Sequence, residues 1–272
     1  MSELQELLSR ARVYELAQTY FTGMPHFPTH PPFLYGLTRQ HGEQVGPQGH
    51  SSSADAIAMG SHIGTHIDAL CHFSRDGRLF GGEPVVQSYS DGMGRHAADG
   101  IGPILRRAVL LDIAGLLKMA ALPRDFEITP EHLDAAAEGV EIQAGDIVLL
   151  RTGWAAYWRE PARFLSQGHS PGPSAAGACW LSKRGLFAAG SDTLTFEKVP
   201  AETMPVHVHL LVECGIHIIE CLNLEELAAA GIRSFAFVAA PLKIRGATGA
   251  PLQPLGLVDT SQTTRSPGPP EM

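Results

Sequence analysis

Basic residues are scarce in this sequence: 20 Lys and Arg stand against 28 Asp and Glu, a formal charge of −8 over 272 residues. Nucleic acid and anionic membranes are bound through basic patches, so neither is expected as a partner. Cysteine is scarce as well. Cys71, Cys179, Cys214 and Cys221 lie far apart and form no CxxC pair. That spacing argues against an all-cysteine zinc site and against a disulfide framework, and free thiols in a reducing compartment are expected. No run of about eighteen apolar residues occurs, so no membrane span is expected. The opening residues Met1-Ser2-Glu3-Leu4-Gln5-Glu6 are acidic and lack the pattern of a secretory leader. A cytoplasmic protein is the expectation. There is no Walker A loop and no GxGxxG after a strand, which leaves nucleotide binding without support. Gly168-His169-Ser170-Pro171-Gly172 imitates the serine-hydrolase pattern. Its residue after the serine is proline, which has no N–H to give to an oxyanion hole.

What is present reads as one globular domain over residues 1–258 followed by a polar, Pro-rich tail, 259–272. Residues 3–19 carry Leu4, Leu7, Leu8, Ala11, Val13 and Leu16 at roughly helical spacing, which predicts an amphipathic helix. Pro25, Pro28, Pro31 and Pro32 then force an extended stretch. Short apolar runs at 108–113, 146–150, 186–189, 216–219 and 234–238 read as strands. Helices intervene, one opened by Thr129-Pro130 and one over 225–230 stopped by Gly231. Strands alternating with helices predict a mixed α/β core.

The chemistry concentrates in His62-Ile63-Gly64-Thr65-His66-Ile67-Asp68, with His72 just beyond. Imidazole and carboxylate suit Zn2+ or Mn2+, and three protein ligands with an open position make a catalytic site. In a straight strand, at roughly 3.3 Å per residue, His62 and His66 would be about 13 Å apart, too far to share an ion. The chain must therefore fold sharply at Gly64-Thr65, or make a helical turn there. A polar loop of ordinary histidines is the alternative. A second cluster follows: His207, His209, Glu213, His217 and Glu220. If 206–213 is helical, His207 and His209 point to different faces, so only one of them can face a site.

The run His62-x-Gly64-Thr65-His66-x-Asp68-x-x-x-His72 resembles the signature of the cyclase family, which includes bacterial kynurenine formamidases and isatin hydrolases. The segments 20–25, 145–154, 190–193 and 205–220 resemble that family as well. The resemblance implies a swivelling β/β/α fold, a homo-oligomer, and metal-dependent hydrolysis of an aromatic amide or cyclic amide. It implies His62, His66 and Asp68 as ligands of Zn2+ or Mn2+, and His72 as the catalytic acid/base. Glu220 and His207, the latter in a Pro-Val-His context, would complete the metal site, with one or two ions per chain. By the same analogy, Phe27 and Trp154 are candidates to grip a flat small-molecule substrate. Lactone hydrolysis, dehydration or cyclisation at the same site is an alternative, and a non-catalytic metal- or ligand-binding protein is another.

Overall fold

The computed structural model describes residues 3–259. Among them a mixed sheet of nine strands is the largest unit: β1 (Ala11–Glu15), β2 (His66–Asp68), β3 (Ile104–Asp112), β4 (Ile147–Arg151), β5 (Ala188–Ser191), β6 (His217–Glu220), β7 (Ser234–Ala239), β8 (Gly249–Pro251) and β9 (Leu255–Asp259). Their order across the sheet is β1-β9-β7-β3-β4-β5-β6-β2-β8. The middle strands β3, β4, β5 and β6 run parallel, and every other pairing is antiparallel.

The parallel block explains the continuous apolar runs of the sequence, because both of its faces are covered. Ala108, Leu110, Ile147, Leu149 and Ile219 enter one core cluster. Their alternating neighbours Val109, Leu111, Val148, Leu150 and Ile218 enter another. Helices supply the crossovers. Pro130–Ala137 starts at the expected Thr129, whose cap is a reciprocal pair with His132. Ala175–Ser182 is capped by the Ser174 hydroxyl. Glu225–Ala229 ends just before Gly231, which has φ +65°. The expected mixed α/β core is what the chain forms, and the five predicted strands are β3 to β7.

The helix expected over 3–19 is corrected. It spans only Glu3–Arg10, and the chain continues as β1. Residues 12–16 carry a period-two pattern inside the helical one, with Val13 exposed and Tyr14 and Leu16 buried. Pairing with β9, some 240 residues later in sequence, selects the strand. A long-range partner of this kind overrides local propensity. The strand β9 also takes in Asp259, the first residue assigned to the tail. The rest of that tail lies outside the described residues.

Candidate active site

The site is assembled on β2 and β6, at the carboxyl end of the parallel block, where open α/β sheets place their ligand crevices. Residues two apart in a strand share a face, and directly paired residues on adjacent strands share it too. His66 and Asp68 are two apart on β2, and Glu220 on β6 pairs with His66. These three side chains therefore meet by construction, with ligating atoms within 4.8 Å of one another. Ile67, between them, points into the opposite core.

Gly64 turns the chain so that His62 joins them. It has φ +61°, and a Cβ there would stand 2.3 Å from the Tyr20 ring. The rings of His62 and His66 are consequently 5.2 Å apart, far closer than a straight strand allows. The turn is fastened on both sides. The Tyr20 hydroxyl lies 2.9 Å from the carbonyls of both Ile63 and Thr65, and the Thr65 hydroxyl donates to the Cys221 carbonyl. Gly249, paired with Asp68, leaves room for the His62 ring, which a Cβ would approach to 2.5 Å.

Two histidines are held in a defined tautomer. His66 Nδ1 lies 2.8 Å from the Gly64 carbonyl, which can only accept. In the neutral ring Nε2 is then a bare lone pair. It faces Asp68 Oδ1 and Glu220 Oε2, each at 3.5 Å. His207 repeats the arrangement. Its Nδ1 donates to Glu197 at 2.6 Å, and its Nε2 faces Glu220 at 3.2 Å and Asp68 at 3.9 Å. Glu197 also accepts the His207 backbone N–H. Two imidazole Nε2 atoms thus converge on two carboxylates, each able to offer a lone pair once its proton is displaced, and all four side chains are buried.

Such a cluster is stable only with protons on the imidazoles or a metal cation in their place. His66 Nε2 and Asp68 Oδ2 have no hydrogen-bond partner, and a buried orphan of this kind costs about 1–3 kcal/mol. The proton affinities agree. Burial lowers His207, yet the contacts to Glu197, Glu220 and Asp68 outweigh it and push the ring up to about 10. His66 is likewise raised, burial being outweighed by Asp68 and Glu220. Burial raises Asp68, but the surrounding histidines, His72 and His62 foremost, hold it well below the usual carboxylate range. His72 is pushed down to about 3 by burial, despite Asp68 nearby. An ionised Asp68 beside a neutral His72 is the state both directions support at pH 7.

The donor set therefore fits a divalent metal, and the outward Nδ1–H bonds to a backbone carbonyl and a carboxylate are those that orient metal-ligating histidines. Among the described residues two overlapping groups could hold an ion: His66, Asp68 and Glu220, and His62, Asp68 and His72. Asp68 belongs to both. His72, expected outside the ligand set, stacks on His62 with ring centroids 3.9 Å apart.

Beside the cluster opens a pocket of about 220 Å³. Phe27 lines it, as do His62, His72, His207 and Glu220. Trp154 is not among its lining residues. Its indole is buried in an aromatic cluster with Trp158 and Phe164, and its N–H donates to the Leu122 carbonyl. His209 turns away to Ser182 and Glu213. His30, Phe73, Leu194, Thr195 and Met204 complete the wall and were not anticipated, nor were Glu197 and Thr248, whose hydroxyl meets His62.

The cyclase family's sequence profile matches residues 14–198. The chain belongs to the cyclase family. Curated relatives agree with this placement. Isatin hydrolase of Roseibium aggregatum is 30% identical over 211 residues, 74% of this chain and 73% of that protein. Kynurenine formamidase of Bordetella petrii is 23% identical over 89% of this chain and 96% of its own length. A crystal structure described as a novel cyclase superposes with a TM-score of 0.83 at 27% identity, covering 93% of this chain and 88% of that one. The cyclase-family fold is therefore that of this chain, as the sequence signature implied. No helix among the described residues is long and apolar enough to cross a membrane.

Proposed function

We propose that this protein is a metal-dependent hydrolase that cleaves the carbonyl–nitrogen bond of a small aromatic amide or cyclic amide, as its isatin hydrolase and kynurenine formamidase relatives are named for doing. The observation that carries the reading is the convergence of His66 Nε2 and His207 Nε2 on Asp68 and Glu220, with a buried nitrogen and a buried oxygen left unpartnered. His62, His66, Asp68, His207 and Glu220 would hold Zn2+ or Mn2+. Such an ion polarises a substrate carbonyl and lowers the pKa of bound water.

The chain's own groups account for the remainder. At about 220 Å³ the pocket is smaller than the roughly 300 Å³ at which drug-sized sites begin, which suits a one- or two-ring substrate. Phe27, Phe73, Leu194 and Met204 give it apolar walls. Met204 is held at φ +47°, a strained backbone of the kind retained at functional sites. His72 is neutral and free to take a proton from the attacking water as the C–O bond forms. It returns that proton to the departing nitrogen as the C–N bond breaks, leaving an amine and a carboxylic acid, whose remaining proton passes to solvent to give the carboxylate.

The hairpin of Leu34–Arg39 with Ala54–Ala58 exposes Leu34, Tyr35, Leu37 and Ile57. A two-stranded hairpin is marginal alone, and this one supports a homo-oligomer, testable by light scattering. Free Cys71, Cys179, Cys214 and Cys221 suit a cytoplasmic setting.

The deciding experiment is elemental analysis of protein purified without added metal, with assays on isatin and on an N-formyl arylamine. Stoichiometric Zn2+ or Mn2+ and turnover of either substrate support the proposal. No metal bound, and none taken up on titration, overturns it.

A further inference from the structure

The Pro-rich stretch 25–32, expected to be extended, turns at Pro28-Thr29, where the His30 N–H donates to the Phe27 carbonyl, and this brings His30 into the pocket wall, beside Phe27 and against the first histidine of the signature. The His30 ring centroid is 5.4 Å from that of His62 and 5.5 Å from that of Phe27. Its Nδ1 lies 3.4 Å from the His62 backbone carbonyl. A carbonyl oxygen only accepts, so Nδ1 carries the hydrogen and Nε2 of the neutral ring is an acceptor. That Nε2 has no partner among the described residues.

The other polar groups of the wall are already committed. The Thr195 hydroxyl donates to the Glu197 carbonyl. Glu220 and His207 face the metal cluster, and His72 is needed for the proton of water. His30 offers the pocket an acceptor with no other task. In an amide or a lactam the N–H lies one bond from the carbonyl carbon. A substrate whose carbonyl sits at the His66–Asp68–Glu220 cluster keeps its N–H within the pocket that His30 lines.

We propose that His30 is a specificity-determining residue, accepting the substrate amide N–H through Nε2 and favouring secondary amides and lactams over their N-alkylated forms. The inference rests on the amide-hydrolase reading above, and binding can test it apart from turnover. Oxindole and N-methyloxindole, stable aromatic lactams that differ in that N–H, are titrated by calorimetry into wild type, His30→Ala and His30→Gln. Steady-state rates on isatin and N-methylisatin are measured in parallel.

Wild type should bind oxindole about five- to tenfold tighter than its N-methyl form, the range of one neutral hydrogen bond. In His30→Ala, which also makes room for a methyl group, the two ligands should bind alike. KM for isatin should rise with little change in kcat. The Gln variant, whose amide oxygen restores an acceptor, should recover part of the preference. Equal binding of both lactams by wild type, binding of neither, or an undiminished preference in His30→Ala would overturn the assignment. A preference lost in His30→Ala, with no turnover of isatin or of the N-formyl arylamine by wild type, would uphold His30 and remove the hydrolase reading instead. Turnover of isatin without any lactam preference would do the reverse.

Discussion

Asp68 and Asp192 are both closed off from solvent, at 1% and 0% exposure, and both stand at the site end of the sheet. Asp192, just after β5, accepts the Thr152 N–H and hydroxyl on one oxygen and the Gly153 N–H on the other. Both carboxylate oxygens are thus answered by donors, and the result is a clasp between the ends of β4 and β5. Asp68 has one oxygen bonded by His62 at 2.7 Å and the other unpartnered. Burial alone therefore does not distinguish a structural carboxylate from a binding one. Satisfaction does: the chain closes its hydrogen bonds around Asp192 and leaves one oxygen of Asp68 without a partner, as the proposed metal role requires.

The largest effect should come from opening that difference at Asp68. Asp68→Ala should abolish metal binding and lower turnover on the order of a thousandfold or more, beyond the roughly ten- to hundredfold that loss of an outer hydrogen-bond partner causes. Metal analysis with kinetics on isatin checks it. Retained metal in the variant would remove Asp68 from the centre of the site.

His72 comes next. His72→Gln should reduce turnover by about 10²–10⁴, the range of a proton-transfer group, with metal content close to wild type. The stacked His62 and His72 rings make the measurement informative. Metal lost in proportion to activity would place His72 among the ligands, and the acid/base role would need another residue.

Glu197 tests the support of the open site. It fixes His207 through both the ring and the backbone N–H. Glu197→Ala should weaken metal affinity by about 10- to 100-fold in a chelator competition, without the total loss expected of Asp68→Ala. Unchanged affinity would mean that His207 needs no such partner.

Much of the open site was legible because it is local. His62, His66, Asp68 and His72 fall within eleven residues, and the distance argument required a turn at the very glycine that makes it. Glu220 was reachable from its place at a strand end. His207 was separable from His209 only by the company of its neighbours. Glu197, Thr248 and His30 carry no such pattern. Glu197 sits in a loop and meets its partner ten residues on, and Thr248 reaches His62 across 186 residues of sequence. Contacts of that kind depend on the whole sheet being in place. Trp154 shows the converse error. A large aromatic after a strand suits a pocket or a core equally well, and only the carbonyl of Leu122, found by its N–H, decides for the core. The misread end of the first helix has the same origin, since β9 is invisible from β1.

Asp192 should give the smallest change in function and the sharpest contrast. Asp192→Asn should leave metal content and turnover near wild type, because no atom of Asp192 faces the pocket or the cluster. Its signature lies in the pH dependence of folding. Burial pushes the Asp192 carboxyl from its usual value of 3.8 up to about 6, with the Thr152 and Gly153 donors pulling it back. The folded state therefore holds this proton more tightly than the unfolded chain does. Its contribution to stability is full below about pH 4 and is lost as pH rises through about 6, on the order of 3 kcal/mol. Asp68 works with the opposite sign, since its depressed value adds stability that is lost only as pH falls below the ordinary carboxylate range. Between about pH 4 and pH 7 the Asp192 contribution should fall while that of Asp68 is nearly constant. Urea unfolding at those two pH values should show the Asn variant losing less stability than wild type on going to the higher pH. Parallel losses in the two proteins would mean that the three donors stabilise the Asp192 carboxylate as fully as water does, and the contrast with Asp68 would then rest on hydrogen-bond satisfaction alone.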